Sequence, residues 1–224
     1  MVKKLSTADA NKPRRGGRPS MAQAGQIDEK ILATASHLFL TQGYGETSIE
    51  AVAKRAGISK RTFYHRYADK GALFGAVMHR LVQRLRPPAE EAAHLFEGAD
   101  LGGILERLAQ VILAAALQPE ALALHRVILS ESGRFPELAA IIDANSSRAE
   151  AVRRIAGLLR AGGAKASAAE AEFAAEQFMH LLLAGPQHRA LSMGVAMTVE
   201  ELHDWARDSV RLFLSGWRGM ASEA

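Results

Sequence analysis

The sequence contains no cysteine, so disulfides, thiolate zinc sites and cysteine nucleophiles are all excluded, a usage that suits a reducing cytoplasm. Long apolar runs are missing as well. The longest, Val111 to Leu117 and Leu181 to Ala184, fall far short of the roughly 20 residues a membrane-spanning helix requires, so no membrane span is expected. The basic residues at the N-terminus lead into no apolar stretch, and the segment does not read as a secretory signal. No segment alternates as a strand does, and no repeat of solenoid period appears. A Gly-x-x-x-x-Gly-Lys phosphate loop, a Gly-x-Ser-x-Gly elbow and a strand-linked Gly-x-Gly-x-x-Gly are all absent, which leaves catalysis without support and no cofactor implied.

What is present is a chain of 224 residues with 48% hydrophobic content, enough for one small domain and one larger one. Charge divides it unevenly. Residues 1–70 carry 13 Lys and Arg against 6 Asp and Glu, whereas the remainder carries 15 against 18. A basic first third on a slightly acidic body suggests that one end meets a polyanion and the other does not.

Residues 1–23, with Gly16-Gly17-Arg18-Pro19-Ser20 among basic and small residues, read as a disordered arm. From Ile27 a helical period sets in through Ile31, Ala35 and Leu38-Phe39, until Gln42-Gly43-Tyr44-Gly45 stops it. Thr47 and Glu50 have the spacing of a capping box, which predicts a short helix from about Ser48 to Ala56-Gly57. Ser59 can cap a second short helix running to about Tyr67, and Asp69 a longer one carrying Leu73, Val77, Leu81 and Leu85 until Pro87-Pro88. Further helices are expected at 101–117, 119–131, 136–160, 167–191 and 198–217. The last two open with the capping boxes Ser167…Glu170 and Thr198…Glu201, and Pro186 should kink the penultimate one. The fold class is therefore all-α, with a three-helix domain at 24–70 and a larger helical domain at 71–224.

In the segment 47–70, Ile49, Val52 and Ala53 form one apolar face, and Ile58, Phe63 and Tyr67 another. Two short helices folded across a tight glycine turn have the helix-turn-helix geometry. Left outward on the second are Lys60, Arg61, Thr62, Tyr64, His65 and Arg66. A major groove about 12 Å wide admits such a helix. Arg61 is the candidate base reader, because a guanidinium pairs bidentately with guanine. Thr47, Ser48, Lys60, Thr62, Tyr64, His65 and Lys70 suit phosphates, which fix register and supply salt-dependent affinity, and Ser59 and Arg66 complete the DNA-binding candidates on this segment. The alternative is that these are merely solvated faces of two short helices.

Ile31-Leu32, Leu38-Phe39, Gly43-Tyr44, Thr47-Ser48-Ile49, Ala53, Ala56-Gly57-Ile58-Ser59-Lys60, Thr62-Phe63-Tyr64-His65, Tyr67 and Lys70…Leu73 together resemble the DNA-binding domain of the TetR family. The resemblance implies a homodimer on a palindromic double-stranded DNA operator, repression, and release by a small, hydrophobic effector. Arg61 stands where the family commonly has a small residue, and Gly71 where it has Glu. Glu131-Ser132-Gly133-Arg134-Phe135-Pro136-Glu137-Leu138 and the stretch from Ala174 resemble the C-terminal domain of the AefR-like subgroup, less specifically. The Arg14-to-Pro19 segment resembles a minor-groove hook with Gly17 in place of Arg; Arg18 would enter the groove, or the arm is a generic basic tail.

In the body, Phe178, Leu181 and Leu182 on the penultimate helix and Leu202, Val210, Phe213 and Trp217 on the last make two apolar stripes. They either pack within one subunit or, as the resemblance favours, pair with the same stripes of a second copy. His94, His125, Arg126, Gln177 and His180 are the candidate polar liners of an effector cavity between helices 73–185. Glu172, Glu176 and His180 share spacings of four, but a solvated face explains them better than a metal does. The rival classes are an all-helical carrier or enzyme that does not engage DNA, and an architectural, sequence-tolerant DNA-binding protein.

Overall fold

The computed structural model describes residues 21–98, 100–145, 147–162 and 166–223, and among them every regular element is a helix. Arg18 and most of the basic arm lie outside these residues. The first helix, α1 (Met21–Glu46), already includes the last three residues of the stretch read as arm, and it is broken at Gly43, whose φ of 88° only glycine adopts readily.

The helix-turn-helix follows as α2 (Ile49–Ala56) and α3 (Lys60–Tyr64). Ser48 caps α2 by accepting from the Ala51 amide, and Gly57 closes it in the left-handed conformation, with its amide donating to Ala53 and Lys54 carbonyls. The expected Thr47 capping box does not form, since Ser48 takes the cap and Glu50 points elsewhere. Ser59 caps α3, which ends at Tyr64 rather than Tyr67; the chain continues in a turn, with Arg66 and Tyr67 amides both donating to the Phe63 carbonyl.

Asp69 caps α4 (Lys70–Leu85) as its spacing predicts, and Pro87-Pro88 follow its end. A short α5 (Ala89–His94), not anticipated from the sequence, precedes α6 (Leu101–Ala116) and α7 (Pro119–Glu131). The single helix expected over 136–160 is two, α8 (Glu137–Asn145) and α9 (Arg148–Ala161). The chain ends in α10 (Ala168–Ser192) and α11 (Val199–Glu223), whose capping boxes are both present as reciprocal bonds of Ser167 with Glu170 and of Thr198 with Glu201.

Pro186 sits inside α10 without ending it. A proline lacks the amide that would bond the carbonyl four residues back, here Leu182. Trp205 Nε1 on α11 donates to that freed carbonyl at 2.9 Å. The indole fits because residue 185 is glycine: a Cβ there would fall 2.6 Å from the Trp205 ring. One dipeptide thus frees an acceptor and clears the space for the donor that takes it.

Two hydrophobic cores result. One gathers α1 to α4 together with Leu124 and Val127 of α7 and Leu138 of α8. The other is built from α6, α9, α10 and α11. The first core therefore draws on residues beyond 70, with α4, α7 and α8 all contributing to it.

Candidate nucleic-acid interface

Phe63 is wholly buried on the inner side of α3, against Tyr67, whose hydroxyl donates to Asp28 Oδ1 at 2.8 Å. Burial and the Asp28 carboxylate both push the Tyr67 phenol well above its ordinary range, so it stays a neutral donor. With these two rings facing in, the opposite side of α3 must face out. Arg61, Tyr64 and His65 are exposed there, Tyr64 at 52%, and among the described residues the Arg61 guanidinium has no hydrogen-bond or ion-pair partner. Ser59 and Thr62 are tied by a 2.8 Å hydroxyl bond at the start of the helix. Lys60 reaches back to α2, its Nζ 2.6 Å from Glu50 Oε1, and that bond holds the Glu50 carboxyl below its usual range.

Three of the residues expected at the DNA surface turn back onto α1 instead. Thr47 is 1% exposed, and its hydroxyl donates to the Gly43 carbonyl at 2.8 Å, bracing the break in α1. Arg66 donates to the Ala24 carbonyl of α1 at 3.2 Å, with its Nε buried and unpartnered. Lys70 donates to the carbonyls of Tyr44 at 2.9 Å and Gly45 at 3.3 Å, with its ammonium 4.4 Å from the Tyr44 ring centre. Burial lowers the Lys70 pKa. Local spacing does not show which polar side chain turns back to a carbonyl brought near by the fold, and in all three cases that carbonyl belongs to α1.

The same saddle, Gly43-Tyr44-Gly45, is gripped from the body. Glu131 Oε1 accepts from the Gly45 amide at 3.2 Å, and Phe135 packs edge-on to Tyr44 with ring centres 5.1 Å apart. Burial and the Glu137 carboxylate push the Tyr44 phenol up to about 12. Gly71 and Gly75 leave room for α8: a Cβ at either would lie 3.1 Å from Ile141 or Asn145. Glycine at 71, where the family commonly has Glu, thus keeps the crossing of α4 with α8 close. The Glu131-to-Leu138 segment that stood out in the sequence is the part of the body that holds the head.

Of the proposed effector liners, only His125 is half-buried, and desolvation lowers its pKa. His94 is exposed and pairs with Glu97; Arg126 is exposed; Gln177 and His180 lie on the exposed face of α10, with His180 Nε2 3.1 Å from the Arg148 guanidinium. Those four are corrected to surface residues. Half-buried apolar side chains that belong to neither core include Val82 and Leu85 on α4, Ile104, Leu108 and Val111 on α6, Leu122 on α7 and Leu181 on α10.

The dimer stripe is corrected too. Phe178, Leu182, Val210 and Trp217 are buried within one subunit, and Leu202 and Phe213 are partly buried against the same core; Phe178 and Phe213 rings stand 4.9 Å apart. The stripes fill the subunit's own core, and of the seven residues Leu181 alone lies outside it, half-exposed. What α10 and α11 leave exposed includes Phe173 at 56% and Leu212 at 64%.

Comparison with known proteins adds an independent line. The family model described as bacterial regulatory proteins, tetR family, matches residues 31–77, and that of the AefR-like transcriptional repressor C-terminal domain matches 103–218. The chain is 27% identical over 172 residues to the HTH-type transcriptional repressor BepR of Brucella suis, covering 75% of this chain and 80% of that protein. It is 34% identical over 80 residues to the HTH-type transcriptional regulator EthR of Mycolicibacterium smegmatis, a match spanning only 36% of this chain and 37% of EthR. Among solved structures, a TetR-family regulator from Mesorhizobium loti superimposes with a TM-score of 0.70 at 27% identity, over 86% of this chain and 97% of that one. The flavonoid-responsive regulator FrrA does so with a TM-score of 0.65 at 28% identity, again over 86% and 97%.

Proposed function

Since this chain belongs to the TetR family of DNA-binding transcriptional regulators, we propose that it is a repressor that binds a palindromic operator as a homodimer and lets go when a hydrophobic small molecule occupies its body. The single observation carrying the DNA-binding half is the exposed ridge of Arg61, Tyr64 and His65 over a buried Phe63 on a capped helix. Arg61 reads a guanine edge, and Ser48, Ser59, Lys60, Thr62, Tyr64 and His65 are the groups left to hold phosphates. Thr47, Arg66 and Lys70 are tied to carbonyls of α1 and drop out of the phosphate set.

The dimer forms through the outer faces of α10 and α11, where Phe173 and Leu212 offer apolar area that the subunit itself leaves uncovered. The effector seat is the group of half-buried apolar side chains left out of both cores, with His125 as its polar member. Because FrrA is named as flavonoid-responsive, flat polyphenols are the first compounds to try.

Footprinting on the DNA flanking the chain's own gene, with and without flavonoids, tests the whole reading. Two protected half-sites about 34–36 Å apart, or a multiple of that, and their loss on adding compound, are expected. Uniform protection of any duplex would instead favour an architectural protein. Arg61→Ala should relax the base preference at one position of each half-site, a loss of about 1–3 kcal/mol of discrimination; an unchanged preferred sequence would remove Arg61 from the base-reading role.

A further inference from the structure

Lys60 opens the helix that carries the ridge, yet its ammonium is already engaged, 2.6 Å from the Glu50 carboxylate on α2. Both side chains are more than half exposed, so the pair lies on the surface turned to DNA and adds little to the stability of the fold. A carboxylate on that surface is costly to a DNA-binding protein, because it competes with phosphate for the same cation and repels the backbone. Its other attachment is weak: Glu50 lies in the first turn of α2, where any acid is favourable, and Ser48, not a capping box with Thr47, satisfies the Ala51 amide.

We propose that Glu50 is a specificity-determining residue, which holds Lys60 in place so that this cation is not spent on whatever phosphate comes by. The inference rests on the sequence-specific DNA binding proposed above. Binding to random duplex consists almost entirely of cation–phosphate contacts, each of which releases a counterion, so withholding one lysine weakens it directly. An ammonium carries three donors. Held by Glu50 through one of them, Lys60 can offer another to a phosphate that arrives at a fixed depth, as when the operator seats α3 fully in the groove. A loosely docked duplex does not bring a phosphate to that spot. Glu50 therefore taxes the wrong sequence more than the right one, in the way like-charge groups at an interface suppress wrong partners.

The experiment uses the full chain, a duplex enriched by it from a randomised pool, and a shuffled duplex of the same composition, with affinities followed between about 50 and 200 mM salt. Glu50→Gln should bind the shuffled duplex several-fold tighter, with the slope of log affinity on log salt steeper by about one. Its gain on the enriched duplex should be smaller, so the ratio of the two affinities falls. In a Lys60→Ala background the same substitution should leave that ratio unchanged. Thermal melting of each variant checks that the fold is kept, as expected for two exposed side chains. An unchanged slope and ratio in Glu50→Gln would overturn the proposal, and so would an equal effect with and without Lys60, which would mean simple repulsion. If the native chain binds duplexes but enriches none, the operator reading fails, while the slope on shuffled DNA still decides whether Glu50 withholds Lys60.

Discussion

The two cores of this chain are assembled by different means. The head core is an aromatic knot: Phe39 and Phe74 meet edge-on at 5.1 Å, Tyr44 meets Phe74 at 5.2 Å, and Phe135, from beyond α7, closes on Tyr44 at 5.1 Å. The body core has small residues where its helices cross, with Ala109, Ala156, Ala171, Ala174, Ala175 and Ala206 all buried. Edge-to-face rings fix one relative geometry. Alanine seams let helix axes approach closely and leave the outer faces free for other work. The difference teaches that the DNA-reading head is not a separable bead: part of its core is supplied by α7 and α8.

The comparison breaks most visibly if the head stands alone. A fragment ending at Arg86 lacks Leu124, Val127, Leu138 and Phe135, so it should show no cooperative unfolding transition by circular dichroism. A fragment that melts cooperatively would mean that α1 to α4 suffice. Next in size is a contrast on one helix. Phe178→Ala, inside the body core, should cost about 3–5 kcal/mol in denaturant unfolding. Phe173→Glu, five residues earlier and exposed, should leave the subunit folded and lower the sedimenting mass from dimer to monomer. The reverse pattern would restore the stripe read from sequence.

Gly185→Ala sharpens the account of the body seam. Its new Cβ would overlap the Trp205 ring and pull the indole from the Leu182 carbonyl, an overpacking cost of about 1–3 kcal/mol read as a lower midpoint. The smallest effect is expected at His125. Burial depresses its pKa, so the unfolded chain takes the proton first as pH falls. Stability should be intact above the unfolded value of about 6.5 and decline below it through the folded value, a limb that His125→Gln should flatten.

Much of this was legible in the order of residues. The caps at Asp69, Ser167 and Thr198, the glycine turn at 57 and the buried stripes of α1 and α4 follow from local rules, each satisfied within a few residues. The ridge of α3 was legible for the same reason: once Phe63 and Tyr67 go inward, Arg61 and Tyr64 have nowhere to go but out. The misreadings share a cause. Thr47, Arg66 and Lys70 look identical to phosphate ligands in sequence, and were claimed instead by carbonyls of α1, which only the folded chain brings near. The apolar stripes of α10 and α11 were correctly found, but a stripe specifies that it will be covered and does not name the cover.

Sequence by itself therefore determined the class of the fold, the starts of most helices and the cationic character of one surface, because caps, periodicity and charge act over a few residues along the chain. Tertiary structure decided which polar groups remain free, which helices belong to which core and why residue 185 is glycine. Those depend on what arrives from dozens of residues away, as Glu131 does at Gly45 and Trp205 at Leu182, and no local pattern records the arrival.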